Sequence, residues 1–256
     1  MKRIKSSIQI LLAAATLVVA GQAFASEGAE LPYHFKPDPD NQASVQRGAR
    51  NFMNYCSACH SMRNLRYNRL GRDLGISDDL LKANLMFTSD KVTDHIVSSM
   101  PEAEAGSWFG KAPPDLTVEA RFRGPEWIYN YLLTFYVDPK RPLGTNNIVL
   151  PNASMPHVLW ELQGLQILKE ASASEGEHAE AGHGEHEGPQ FEAVSKGTLS
   201  PADYKKFVAD TTNFMVYAAE PGRAHRLAVG KKVILFLLVF TVLAYLMKRE
   251  WWKDVH

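Results

Sequence analysis

Tyr55-Cys56-Ser57-Ala58-Cys59-His60 is the stretch on which the reading of this chain turns. Two cysteines separated by two residues and followed at once by histidine form the attachment pattern of a c-type haem. The gap lets both thiols add across the vinyl groups of one porphyrin, and His60 is then placed to offer its imidazole to the iron from the proximal side. A thioredoxin-like redox pair wants a βαβ setting and has no use for the adjoining histidine, while a cysteine-rich zinc site needs more thiols. Cys56 and Cys59 are the only cysteines in the chain, so neither has another partner. The expectation is one covalently bound c-type haem with its iron.

Outward from that motif, composition sets the frame. The 256 residues, 45% hydrophobic and 22% charged, suffice for one sizeable domain with additions. Formal net charge is zero, but it is unevenly spread. Met1-Lys2-Arg3-Ile4-Lys5 is basic, an apolar run covers 8–20, and Ala23-Phe24-Ala25 supplies an A-x-A cleavage site. Residues 1–25 read as a secretory signal peptide, and the mature chain is expected to begin at Ser26. Export agrees with haem attachment outside the bacterial cytoplasm and with the lack of any other thiol in an oxidising compartment.

Near the other end, Val233 to Met247 carries no charge. Lys231 and Lys232 can snorkel, so the apolar span extends back to Leu227 and fills 227–247. Lys248, Arg249, Trp251, Trp252 and Lys253 form a basic-aromatic flank suited to a membrane interface. With the body exported, a single-pass anchor places 26–226 in the periplasm and 248–256 in the cytoplasm, across the bacterial inner membrane. Arg223, Arg226, Lys231 and Lys232 on the exported side weaken the positive-inside contrast, so this orientation rests on the signal peptide. Residues 26–226 carry 20 Lys and Arg against 26 Asp and Glu, a net charge near −6 that attracts a basic partner.

Between the two ends, Pro32 to Pro39 is too proline-rich for a helix and reads as an extended arm. Asp40-Asn41 offers a helix start, and Ala49, Phe52 and Met53 carry an apolar stripe directly into Cys56. Gly48 leaves room for another helix to cross closely. Residues 63–72 read as irregular surface around Gly71, 77–85 as a short helix, and 102–106 as an acidic loop. Pro113 and Pro114 stiffen a backbone that suits a wall against a flat cofactor. Residues 126–136 read as a helix whose Trp127, Tyr131, Leu132 and Phe135 pack inward. Pro139, Pro142, Gly144 and Pro151 then mark a long loop running to Ser154-Met155-Pro156-His157. The Glu-, Ala- and His-rich stretch 171–190 cannot bury a core and reads as a surface insertion. Ser200-Pro201-Ala202-Asp203 is a capping box for a closing helix that ends before Pro221-Gly222.

A c-type haem used for electron transfer usually takes methionine as its sixth ligand, because the thioether favours reduced iron. The downstream candidates are Met62, Met86, Met100 and Met155, of which Met62 is too near the motif to reach the opposite face. Met100 and Met155 both stand in Ser-Met-Pro, so local sequence does not decide between them. Position favours Met155, which ends the punctuated loop that could swing back across the open haem face with Pro156 stiffening its return.

Together these segments resemble the cytochrome c1 family, the haem subunit of the quinol–cytochrome c oxidoreductase (cytochrome bc1) complex. The likeness runs through Arg47-Gly48, Cys56 to Met62, Ala112-Pro113-Pro114-Asp115-Leu116-Thr117, Arg121-Phe122-Arg123, Tyr131-Leu132-Leu133-Thr134, Met155-Pro156, Ser200 to Tyr204 and Met247-Lys248-Arg249. It covers nearly all of the mature chain. The resemblance implies a mainly α fold: a c-type cytochrome haem domain with long loops, and one C-terminal transmembrane helix. It implies that Cys56 and Cys59 bind haem covalently, that His60 and Met155 ligate iron, that Arg123 faces a haem propionate and that Pro114 lines the cofactor. It further implies an electron-transfer subunit with no catalytic residue of its own, taking electrons from the Rieske iron–sulfur subunit, giving them to a soluble cytochrome c, and seated beside cytochrome b. No nucleic-acid partner is expected. His157 stands where many members carry another proline, and the 171–190 insertion has no match. Two other readings stay open: a free-standing membrane-anchored cytochrome c serving a terminal oxidase, and a haem peroxidase-like enzyme.

Overall fold

Asn41 starts the helix that delivers the haem motif. The computed structural model describes residues 31–169 and 189–254; the expected signal peptide and nearly all of the 171–190 insertion lie outside them. The Asn41 side chain accepts from the Ser44 N–H at 3.2 Å and caps α1 (Gln42–Tyr55). Val45, Ala49, Phe52 and Met53 lie on its buried face. The Cys56 N–H donates to the Phe52 carbonyl at 2.8 Å, so the motif follows the helix without a break.

The closing helix is α8 (Pro201–Ala219), capped by Ser200, whose Oγ accepts from the Asp203 N–H at 3.1 Å. It forms the principal helix packing of the body by crossing α1. At the crossing, a Cβ on Gly48 would stand 2.0 Å from the Asp210 carbonyl oxygen, so only glycine admits this approach. Beside it Arg47 grips Asp210 at two points, Nε to Oδ2 at 2.6 Å and Nη2 to Oδ1 at 2.8 Å. Ser44 Oγ donates to the same carboxylate at 2.5 Å, and Asn213 Nδ2 donates to Ser44 Oγ at 3.0 Å. Asn213 also accepts from the Asp38 N–H at 2.8 Å. A buried carboxylate left unpaired would be costly, and this network satisfies it while tying the arm, α1 and α8 together. The arm is extended, as its prolines require, and Phe35 stacks on Tyr129 with centroids 4.5 Å apart.

Two segments differ from the sequence expectation. Residues 63–72 are not irregular surface but lie in β1 (Met62–Arg66) and α2 (Tyr67–Leu74). The apolar residues there are few, yet Met62, Leu65, Tyr67, Leu70 and Leu74 are all buried, and Gly75 at φ 66° closes the helix. The acidic stretch 102–106 is not a loop: with Ser107 to Phe109 it forms α4 (Glu102–Phe109). Pro101 fixes the entry, Glu102 and Glu104 in the first turn favour the positive end of the helix dipole, and Gly110 at φ 74° ends it.

The remaining elements are short. Ser77 caps α3 (Asp78–Asn84), β2 (His95–Ile96) pairs with β1, and α5 (Glu119–Phe122) leads into α6 (Pro125–Leu133). The helix expected over 126–136 stops at Leu133 because β3 (Phe135–Val137) pairs antiparallel with β4 (Thr145–Asn147). Beyond α7 (Trp160–Gln163), β5 (Gln166–Leu168) pairs with β6 (Phe191–Ala193), and the Lys169 N–H donates to the Gln190 carbonyl at 2.9 Å. The insertion therefore springs from the end of a hairpin.

The last helix, α9 (Arg223–Trp251), has 29 residues and is ~43 Å long at the α-helical rise. Its most apolar stretch has a mean hydropathy of 2.3 and none of it is buried, in keeping with a helix that gives its side chains to lipid. At its root Glu220 pairs with Arg226 and with Arg121.

Candidate haem site

The motif is wound into a single turn. The N–H groups of Cys59 and His60 both donate to the Cys56 carbonyl, at 3.1 and 2.8 Å. Ser57 Oγ donates to the Met53 carbonyl at 2.7 Å and fastens the turn to α1. The Leu116 N–H donates to the Ser61 carbonyl at 2.9 Å, and Ser98 Oγ to the Ala58 carbonyl at 2.9 Å, so two distant loops are stitched to the motif. Asp115 completes the seam: it accepts from the Arg63 N–H at 2.7 Å and from the Thr117 N–H at 2.9 Å.

This seam brings Pro114 to His60. His60 Nδ1 lies 2.8 Å from the Pro114 carbonyl oxygen. A carbonyl only accepts, so Nδ1 carries the proton and the Nε2 lone pair is left for a metal. Burial holds the imidazole below its usual pKa, outweighing the opposing effect of the Pro114 bond and of Asp115, so the ring is neutral, the form that binds metal. The proline expected as a wall thus acts through its backbone oxygen as well.

Both cysteines are free and half-buried. Burial pushes the Cys56 thiol up to about 12, with Cys59 adding to the effect, and raises Cys59 in the same direction. Burial thus disfavours a charged sulfur at both positions, a cost that an uncharged thioether does not carry.

Of the candidate methionines, Met62 and Met86 are core residues. Met155 is half-buried and packs against the core, whereas Met100 is half-buried beside Ser98, whose Oγ accepts its N–H at 3.0 Å. Two buried asparagines that sequence reasoning missed shape the Met155 loop. Asn147 Nδ2 donates to the Tyr131 carbonyl at 2.7 Å, and its Oδ1 accepts from the N–H groups of Val149 and Leu150 at 2.9 and 3.1 Å. Asn146 Oδ1 accepts from Asn152 N–H at 2.8 Å, supporting that residue at φ 64°. An Asn-Asn pair inside a Pro/Gly-punctuated loop is the signal that could have found them, since asparagine side chains imitate backbone groups in turns.

Arg123 caps the end of α5. Its Nε pairs with Glu119 at 3.2 Å, and its guanidinium sits 4.6 Å over the Trp127 ring. Trp127 stacks on Tyr131 at 5.1 Å, Tyr131 meets Phe135 edge-on at 5.0 Å, and Phe135 lies flat on His157 at 5.1 Å. His157 is buried, with its pKa lowered to about 4 chiefly by that burial. The structure therefore gathers Cys56, Cys59, His60 and Pro114 into one cluster, and links Arg123 to the Met155 segment through a run of rings.

Two free thiols in one turn, a neutral imidazole with a single nitrogen engaged, and a stiff proline segment against it fit a haem. Joined to one exposed apolar helix, they define a membrane-anchored c-type haem protein. The Cytochrome C1 family matches residues 38–255, and the chain belongs to that family. It is 44% identical over 248 residues to cytochrome c1 of Allochromatium vinosum, across 97% of this chain and 99% of that one. The ammonia monooxygenase gamma subunit of Nitrosomonas europaea is 39% identical, across 90% of this chain and 92% of its own length. Cytochrome b/c1 of Bradyrhizobium diazoefficiens is 24% identical across 98% of this chain but 40% of that longer protein. Family membership makes the chain a haem-bearing electron-transfer subunit of the bc1 complex, with the haem covalently bound, and not an enzyme on its own.

Proposed function

We propose that this chain takes single electrons from a Rieske iron–sulfur subunit and hands them to a soluble cytochrome c, with cytochrome b as its neighbour in the membrane. The observation that carries the reading is the His60–Pro114 bond, which fixes an imidazole in the ligand tautomer beside two free cysteines. The haem supplies a one-electron couple when bound. Cys56 and Cys59 would hold it by thioethers, His60 Nε2 and the Met155 sulfur would ligate its iron, and Pro114 would lie against it. Glu119 takes the Nε donor of Arg123, which leaves the Nη donors to face a propionate. An iron held by both the imidazole and the thioether would offer substrate no coordination site, which favours transfer over peroxidase-like turnover.

Residues 1–25 serve as the signal peptide, 26–226 stand in the periplasm, 227–247 span the membrane and 248–256 lie in the cytoplasm. The acidic body then meets a basic cytochrome c by charge. Isolation in mild detergent tests the assembly: cytochrome b and a Rieske subunit should accompany this chain, and quinol should reduce its haem only when they do. Purification alone would favour the free-standing cytochrome, and recovery with ammonia monooxygenase subunits would place the chain in a different assembly.

A further inference from the structure

The Met155 loop is tied at its upstream end by Asn146 and Asn147, which leaves its downstream end to Pro156 and His157. His157 is 5% exposed and lies on Phe135 with the two ring planes 3° from parallel. Phe135 is itself 1% exposed and is braced from behind by Tyr131 and Trp127. The platform under His157 is thus a stack rooted in α6, not a single movable side chain.

Imidazole is a costly filler for such a place. Both ring nitrogens are buried and neither makes a well-formed hydrogen bond, whereas a leucine or phenylalanine would leave nothing unpaired. The polar edge has a use if it keys the loop to another piece of chain. The segment runs directly into α7, where the Trp160 N–H donates to the His157 carbonyl at 3.3 Å, and Gln163 Oε1 at the end of that helix is likewise buried without a partner. Between this clamped ring and the thioether stands only Pro156, whose φ is fixed by its own ring.

We propose that His157 is a positioning residue: seated on Phe135, with its polar edge keyed to α7, it holds the Ser154–Pro156 segment so that the Met155 thioether stays on the haem iron. The inference rests on Met155 as the sixth ligand. Without the ring, the loop keeps its asparagine ties but loses its downstream clamp, and the thioether leaves the iron more often.

External imidazole measures that opening, because it binds ferric haem only when the methionine has let go. The measurement uses the full-length protein in mild detergent and follows the thioether-to-iron absorption band in the red. Loss of a stacked ring pair should make His157→Ala take up imidazole roughly tenfold faster than wild type, with haem content unchanged. His157→Phe, which keeps the ring on Phe135 but loses the polar edge, should fall between the two. A wild-type rate in His157→Ala would overturn the positioning role, and so would a wild-type rate in His157→Phe if the alanine variant does not accumulate. Met155→Leu separates the two layers: if it keeps the red band, the ligand assignment has failed and the clamp with it. If it loses the band while the His157 variants behave as wild type, only the clamp has failed.

Discussion

The two faces proposed for the haem are held by different means. On the proximal side, two thiols and an imidazole share one five-residue turn, closed by backbone hydrogen bonds to Cys56 and oriented by the Pro114 carbonyl. On the distal side, Met155 rides a loop set by side chains from β4, β3 and the segment before α7: Asn146, Asn147, Phe135 and His157. In the first arrangement the ligands are adjacent residues, fixed redundantly by the turn's own bonds and by stitches from two distant loops. In the second a single ligand hangs on a loop, and each buried polar group that shapes it has few substitutes. Ligand loss should therefore begin at the methionine, while the cysteine–histidine side stays in place.

Removing the covalent bonds is the largest test of that contrast. Wild-type protein should keep its haem through acid–acetone extraction, and the double variant Cys56→Ala, Cys59→Ala should surrender all of it. Extraction of haem from wild type would undo the proximal account at once. Next in size is the polar knot behind the turn. Asp210→Ala breaks the Arg47 pair and strands Ser44 and Asn213, and should lower stability in a denaturant titration by about 3 kcal/mol. The low end of the range for a buried pair is expected because Arg47 is partly exposed and can turn to water. The red band should persist in this variant up to its unfolding.

Asn147→Ala should cost less, about 2 kcal/mol, yet weaken the red band, since it frees the loop that carries Met155. An unchanged band there would break the comparison from the distal side. The smallest effect is expected from deleting 171–188, whose flanks already meet at Lys169 and Gln190. Stability should move by less than ~0.5 kcal/mol and the spectrum not at all. Electron delivery to a basic cytochrome c should slow at low salt only, and a salt-independent loss would count against charge steering by the insertion's glutamates.

What was legible in the sequence follows the same division. The Cys56–His60 turn could be read because its chemistry lies in adjacent residues, and α1, α3 and α8 because Asn41, Ser77 and Ser200 announce their starts. Gly48 was read as a close crossing, and Asp210 stands there. The helix α2 was missed because its burial rests on Tyr67, Leu70 and Leu74 scattered among arginines, a pattern that only tertiary contact makes apolar. In α4 the glutamates looked like solvated loop, although the same residues favour a helix start. Pro114 was legible as stiff backbone but not as a hydrogen-bond acceptor, because its carbonyl meets His60 only through the Asp115 seam. Met100 and Met155 share their neighbours in sequence and differ in packing, which no local pattern encodes.

That pair of methionines offers the most direct test of the central claim, that His60 and Met155 hold the iron from opposite sides. The measurement is the red thioether-to-iron band together with the reduction potential, in Met155→Leu and Met100→Leu side by side. Met155→Leu is expected to abolish the band and to lower the potential by more than ~60 mV, the equivalent of a tenfold shift in a one-electron equilibrium. Met100→Leu is expected to leave both as in wild type. Loss of the band in Met100→Leu, with the band intact in Met155→Leu, would contradict the assignment of the distal face.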